Sequence, residues 1–571
     1  MRTPLLIEKA MQYYRSVWAL LLLGMLLVSA AGCGGGGGGG GAFNPQDALR
    51  TGYFIDGPVQ GLAYRTATQS GETGADGAFT YLPGETVAFY VGDTLVGQAT
   101  GADTLSPFDL AGIAPPVSGS DIKRTINQLR NSGRATPFEV AANIAVFLQT
   151  IDEDGDLANG TQIPAQMHTL AAGVSIDFNQ SCRQFRDHFA FRKLMAAGRN
   201  AGLWGGTRAI RAAPYALDAL YAGLGRTPGL YTTLSEEHDS DGDGVPNRRT
   251  ALSYDARGHL SLYAEDTDAD GAMNRLTAIT FNANGNLAMT EQDNDADGTA
   301  DARRTDTYDG NGNWTMLELD TDSDGLVDSR TTYTYDANGL QTMYEMDNDA
   351  DGTPGSRTLY TYDANGNQTS YTLDNNADGT PESRKTYTYD SNGCQMMSET
   401  DAGADGTVNS RSLFTCDAEC NQTLHELDSD GDGTVNRRYV STYDAEGRRT
   451  VYAQDNDGNG TIDSRKTYTY DASGNLTREE DDTDADGTVD QRAINTYDSN
   501  GNRTAGEYDV DGDGTADSLS ASTFDNNGNY LRGEYDEDAD GTADEITTYT
   551  FQPAGGWMIY QMELTGTSMI F

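Results

Sequence analysis

ELDTDSDGLVDSRTTYTYDANG, from Glu318 to Gly339, is one of twelve versions of the same passage, whose acidic loops recur every 27 residues without a slip from Asp239 to Asp536. Its first half crowds Asp320, Asp322, Asp324 and Asp328 into nine residues around Gly325. Carboxylates this close repel one another unless a hard cation sits among them, and oxygens at alternate positions beside a turn-making glycine suit calcium. The passage reads as a metal site first and a turn second.

Positions one, three, five and nine of each loop are the candidate ligands. In the first four loops they are Asp239, Asp241, Asp243 and Asn247; Asp266, Asp268, Asp270 and Asn274; Asp293, Asp295, Asp297 and Asp301; and the Asp320 set. The middle four supply Asp347, Asp349 and Asp351; Asp374, Asn376, Asp378 and Glu382; Asp401, Asp405 and Asn409; and Asp428, Asp430, Asp432 and Asn436. The last four supply Asp455, Asp457, Asn459 and Asp463; Asp482, Asp484, Asp486 and Asp490; Asp509, Asp511, Asp513 and Asp517; and Asp536, Asp538, Asp540 and Asp544. Gly403 at position three and Gly355 at position nine make the loops from Asp401 and Asp347 the weakest expected sites. Position one is Asp in all twelve loops, position three in ten, position five in eleven, and position nine is Asp or Glu in seven, so the loops hold 40 of the chain's 87 acids. The net charge of −49 is therefore largely a metal-site charge. It does not suit nucleic acid, whose phosphates need clustered Lys and Arg.

An EF-hand would place a bidentate Glu at position twelve and flank the loop with helices. Position twelve here holds residues such as Thr250, Arg304, Thr331 or Lys385, and the residues that follow alternate as strands do, with Tyr387 and Tyr389 on one face and Arg384, Thr386 and Thr388 on the other. If positions one and nine pair across the loop, Glu318 faces Arg330, Glu345 faces Arg357 and Glu426 faces Arg438, which favours one hairpin register. In this the loops resemble the calcium loops between strands of integrin α-subunit propellers, and the Asp-rich thrombospondin type 3 repeats.

The second half of each repeat, YTYDANGNQT from Tyr360 to Thr369 and YTYDASGNLT from Tyr468 to Thr477, puts Gly366 or Gly474 where a three-residue hairpin loop needs a left-handed residue. Its Tyr-Asp pairs, among them Tyr308-Asp309, Tyr335-Asp336, Tyr362-Asp363, Tyr443-Asp444 and Tyr497-Asp498, resemble the Rhs/YD repeats. That resemblance implies antiparallel sheets that coil into a shell. Two turns per repeat predict a mainly β fold, a long antiparallel hairpin array of about 24 strands. An even strand count and the terminal Phe571 are shared with outer-membrane barrels, but lipid-facing strands need roughly 9–11 residues with an apolar face, and these are shorter and rich in Tyr, Thr, Arg and Glu.

Residues 1–33 read as a signal peptide: Arg2, Lys9 and Arg15 precede an apolar run from Val17 to Ala31 that is short for a membrane span. Ala30-Ala31-Gly32-Cys33 resembles a bacterial lipobox, with Ala30 where Leu is usual, and the resemblance implies lipid on Cys33 and attachment to the outer membrane. Residues 34–42 form a glycine tether. Residues 43–117 are expected to form a small β-sandwich; the stretch Thr73…Asp76-Gly77-x-Phe79 resembles carboxypeptidase-regulatory-like modules. In the helical region 118–233, Val140, Ile144, Phe147, Leu148 and Ile151 share one face, and Phe185 with Phe189, then Ala216, Leu217 and Leu220, suggest two further helices. Asp152, Asp154 and Asp156 have calcium-like spacing, against which stands the plainer reading of a solvated helix end. The repeats are expected to run over 234–550, with 551–571 as a cap.

Cys416 and Cys420 both depart from the repeat consensus, and Cys394 sits beside the equivalent turn one repeat earlier. This suggests a disulfide, the alternative being free thiols, and the connectivity is open. Five histidines occur, none in a recognisable nucleophile or zinc motif, so the chain is expected not to be an enzyme; His188 is read as a helix-edge residue rather than a base. The leading expectation is a calcium-binding, lipid-anchored bacterial surface protein of structural or adhesive role, with surface proteins or polysaccharide as partners. The alternatives are a Rhs-like shell around a toxin, which expects a sizeable domain after the repeats, and an enzyme whose site lies within 43–233.

Overall fold

Asp336 closes its turn with one carboxylate: Oδ1 accepts the N–H of Asn338 at 2.8 Å and of Leu340 at 2.9 Å. Gly339 takes φ +81°, and the strands register across a bulge at Thr334–Tyr335. This is a three-residue hairpin loop of the expected kind. The acidic loops close the other end of each hairpin, and there Glu318 pairs with Arg330, Glu345 with Arg357 and Glu426 with Arg438, as read from the sequence. Each pair contributes about 0.2–1 kcal/mol, so they set register more than stability.

Twelve acidic loops alternating with eleven Tyr-Asp-type turns build a wall of 24 antiparallel strands, from Tyr231–Asp239 to Glu545–Pro553, and the first strand hydrogen-bonds to the last to close a barrel. Strands spaced ~4.8 Å and tilted ~40° make such a ring about 45–50 Å across if it is circular. In a circular ring of that width side chains on opposite walls would not meet. Whether the array stays open or closes was undecided by the sequence, and the pairing of Thr232 with Gln552 and His238 with Thr547 decides it.

The computed structural model of the chain describes residues 48–127, 135–205, 207–554 and 556–557. The expected signal peptide, lipidated Cys33 and tether lie outside the described residues, as does most of the expected cap, of which Phe551–Pro553 extend the last wall strand. Among the described residues no helix is long and apolar enough to cross a membrane.

Before the barrel, strands Arg50–Phe54, Ala78–Tyr81 and Thr104–Leu105 form one small sheet, and Ser70–Glu72, Ala63–Arg65, Thr86–Val91 and Thr94–Thr100 another. Phe54, Phe79 and Phe89 lie fully buried between them, with Phe79 and Phe89 edge-to-face at 5.3 Å. A Phe so placed stabilises by about 1.5–3 kcal/mol. Helix Pro137–Thr150 starts at a Thr136/Glu139 capping box and is buried on almost every side, not on one face; Val140 is among the few residues left partly exposed. Phe138 meets Phe108 at 6.1 Å and Trp557 at 5.5 Å, so strands, helices and a tryptophan beyond the last wall strand share one core.

Two local expectations change. Phe185 and Phe189 stand on separate helices, Cys182–Arg186 and Phe189–Asn200, because His188 caps the second by accepting the Phe191 N–H. Asp152 is buried rather than solvated: its carboxylate accepts the N–H groups of Gly155 and Gln162, each at 2.6 Å, and burial raises its pKa.

Candidate metal centre

Every wall strand but the first and last runs between a Tyr-Asp-type turn and an acidic loop, so the topology sorts the turns onto two rims. In the loop from Asp320, Oδ2 of Asp320 accepts the Gly325 N–H at 3.1 Å and Asp324 Oδ1 accepts the Leu326 N–H at 2.8 Å. Ser323 at φ +52° and Gly325 at +90° turn the chain so that carboxylates one, three and five face one another. Position four is left-handed in all twelve loops, held by Ala or Ser in eight, although a side chain there costs about 1–2 kcal/mol.

One oxygen from each of Asp320, Asp322 and Asp324 lies within 4.8 Å of the other two; the same holds for the Asp239, Asp266, Asp293 and Asp347 triplets and for five more groups. In the five named triplets the first Asp is buried and the other two exposed. Four first-position oxygens, Oδ1 of Asp320, Asp347, Asp482 and Asp509, are buried without a hydrogen-bond partner among the described residues. A buried carboxylate lone pair left unfilled is costly, and a hard divalent cation among three carboxylates would fill it. The donor set fits calcium. For Asp347, Asp428 and Asp455, burial alone would raise the pKa, but backbone N–H donors, foremost from Gly352, Gly433 and Gly460, outweigh it and lower the value, keeping the first ligand charged.

Position nine also locks the turn. Asp328 Oδ2 accepts the Thr321 N–H at 2.6 Å, and Asn247, Asn274, Asp301, Glu382, Asn409, Asn436, Asp463, Asp490, Asp517 and Asp544 do the same for residue two of their loops. An amide accepts that bond as well as a carboxylate. The mixture of Asn, Asp and Glu at this position was the sequence signal for a turn lock. At the loop from Asp347, Gly355 has no side chain to supply it.

The other rim is built for satisfaction. Asp363 takes N–H bonds from Asn365 and Asn367 on Oδ1 and the Asn367 amide on Oδ2, and the Tyr362 hydroxyl donates to Gln341 O at 2.7 Å, one hairpin back. Tyr335, Tyr389, Tyr443 and Tyr497 repeat the bond over the same 21-residue step, and Cys416 puts a thiol there instead. The Tyr-Asp signature is structural. Cys394 and Cys420 form a disulfide between neighbouring turns, with Cα atoms 5.5 Å apart, and Cys416 and Cys182 are free.

This rim also carries the N-terminal module. Arg192 donates to Gly339 O, the Phe189 ring lies against Gly366, and Tyr215 Oη meets His259 Nε2 at 2.8 Å while His259 Nδ1 meets Asp255 Oδ2 at 2.6 Å. This Tyr–His–Asp chain was invisible in sequence because Tyr215 lies 44 residues from His259. His259 is 2% exposed and stacks on Phe281, so the chain fastens the module to the first repeat.

No protein-family model matches the chain and no curated protein matches it. Among solved structures it is similar to TcdB2-TccC3 without its hypervariable C-terminal region, at 14% identity over 54% of this chain and 18% of that one, with a TM-score of 0.31. The Photorhabdus luminescens Tc holotoxin pore gives 15% identity over 55% and 18%, with a TM-score of 0.29. A porin-like protein from Bacteroides uniformis gives 11% over 57% and 99%, at 0.16. The chain spans about a fifth of the length of the first two. Likeness at these scores says nothing of what this chain binds.

Proposed function

We propose that the chain is a calcium-binding structural protein of a bacterial cell surface, held by lipid on Cys33, in which ions along one rim stiffen a closed β-repeat wall. The observation that carries the reading is the acidic rim itself: converging carboxylate triplets with buried first-position oxygens left unpartnered. Without ions the triplets repel and splay the hairpins; with ions each loop ties two adjacent strands. Site affinities typical of extracellular modules are roughly 0.1–1 mM. Titration calorimetry of the full chain should find many calcium ions per molecule, and fewer than about four would sink the reading. The anchor rests on Ala30-Ala31-Gly32-Cys33, and Cys33→Ser should release the protein from membranes or leave its precursor uncleaved. Adhesion to surface proteins or polysaccharide belongs to this reading, and nucleic acid and catalysis do not.

A second reading, a shell around a guest, is favoured by the closed wall. It expects a polypeptide that copurifies with the full chain and becomes protease-sensitive only when calcium is withdrawn.

A further inference from the structure

A cavity of about 600 Å³ lies between the N-terminal module and the wall, on the side of the Tyr-Asp turns. In a chain of net charge −49 its lining is basic: Arg186, Arg192, Arg199, Arg208, Arg211 and Arg304 converge there, and Asp187 is the one acid among the described lining residues. Arginines gathered against mutual repulsion call for negative charge. Some are answered within the fold: Arg304 forks onto buried Asp306, Arg192 reaches Asp187 at 2.7 Å, and Arg208 donates to Glu153 O. Arg199 makes no hydrogen bond or close ion pair among the described residues; burial lowers its pKa, and the charge of Asp309 nearby offsets that only in part.

The rest of the lining specifies more than charge. Among the described residues Arg211 Nε and Trp314 Nε1 are buried donors without a partner, and Asn311 Oδ1 is a buried acceptor without one. Asn286 in the same lining makes no side-chain hydrogen bond among the described residues, and Tyr308, Trp314 and Tyr335 add aromatic surface. Trp314 is held rigid, stacked on Tyr333 at 4.5 Å with Arg304 over its ring. Guanidinium groups match a carboxylate, amides match hydroxyls that both donate and accept, and aromatic rings match the C–H faces of a sugar. The volume falls within the ~300–1,000 Å³ usual for small-ligand sites.

We propose that this cavity binds an acidic saccharide of one to three rings through a carboxylate placed at Arg199. The inference stands apart from the calcium reading, since none of the acidic loops lines the cavity. The test is calorimetry of the full chain in calcium-containing buffer with trigalacturonate, against neutral maltotriose, inorganic phosphate and sulfate. Trigalacturonate should bind at one site at least tenfold tighter than maltotriose or either inorganic anion. Arg199→Glu should weaken it tenfold or more, and Asn286→Ala a few-fold, with near-ultraviolet circular dichroism unchanged. If Arg199→Glu does not fold, Arg199→Gln replaces it, with the same direction expected. Binding that survives both substitutions is calcium-bridged sugar on the acidic rim and overturns the proposal. Equal affinity for phosphate or sulfate reduces the site to a plain oxyanion hole and overturns the saccharide, and absence of trigalacturonate binding overturns it outright.

Discussion

The two rims of the barrel use one device to opposite ends. On both, an Asp side chain accepts backbone N–H groups and a left-handed glycine completes the turn, as in Asp336 with Gly339 and Asp320 with Gly325. At the Tyr-Asp rim the remaining oxygen is taken up by an Asn amide, as at Asp363. At the acidic rim Asp322 and Asp324 bring two further carboxylates, and the Asp320 Oδ1 is left unpartnered. A turn whose polar atoms are all paired needs no ligand, whereas a turn that leaves buried charge unpaired is incomplete by itself.

The largest effect expected from this contrast is that of calcium on the acidic rim. At 10 mM free ion, a site of about 1 mM affinity stabilises by about 1.4 kcal/mol, and many such sites raise the melting temperature by more than ten degrees. Calorimetric melts with calcium and with chelator would measure it. Coincident melts would mean that the rim is as complete without ions as its counterpart.

The ends should also answer pH in opposite directions. Burial raises Asp56 in the module to about 7, against the opposing Gln149 hydrogen bond and Arg211 charge. A folded value above the unfolded one gives stability that is full below about pH 4 and lost as pH rises through 7, on the order of 4 kcal/mol at most. The lowered Asp347, Asp428 and Asp455 contribute stability above about pH 4 that is lost as pH falls through their folded values. Urea melts followed by tryptophan fluorescence should show the module firmer at pH 5 than at pH 8, and Asp56→Asn should shrink that difference to the smaller part left by Asp218, which burial raises to about 6. A wild-type midpoint equal at both pH values would remove Asp56 from the account.

Gly366 and Gly379 compare the rims residue for residue. Both sit near φ +90°, but a Cβ on Gly366 would come within 2.3 Å of the Phe189 ring, whereas one on Gly379 meets nothing within 4 Å. Gly366→Ala should cost roughly 2–4 kcal/mol, and Gly379→Ala about 1–2 from backbone strain alone. Equal losses in denaturant melts would deny that the module is seated on this rim.

The smallest expected effect is that of one Tyr-Asp hydroxyl. Tyr362→Phe removes a single hydrogen bond to Gln341 O and should cost about 0.5–1.5 kcal/mol, independent of calcium. A loss that grows on chelation would couple the rims.

By itself the sequence determined the local structure, because its signals are local: the 27-residue period, a glycine at each turn and Glu and Arg twelve residues apart fix hairpins and their register through neighbours along the chain. Closure was not legible. It depends on twist and tilt summed over 24 strands until Tyr231–Asp239 meets Glu545–Pro553, and no repeat carries a mark of that meeting. The role of position nine was half legible, since the interchange of Asp and Asn is visible, but only the structure shows the N–H that both accept. The disulfide needed three dimensions, because Cys394 and Cys420 lie 26 residues apart and become neighbours only when adjacent hairpins align. The basic cavity is tertiary throughout: its arginines are scattered over the helices and the wall of an acidic chain, and packing one against the other brings them together.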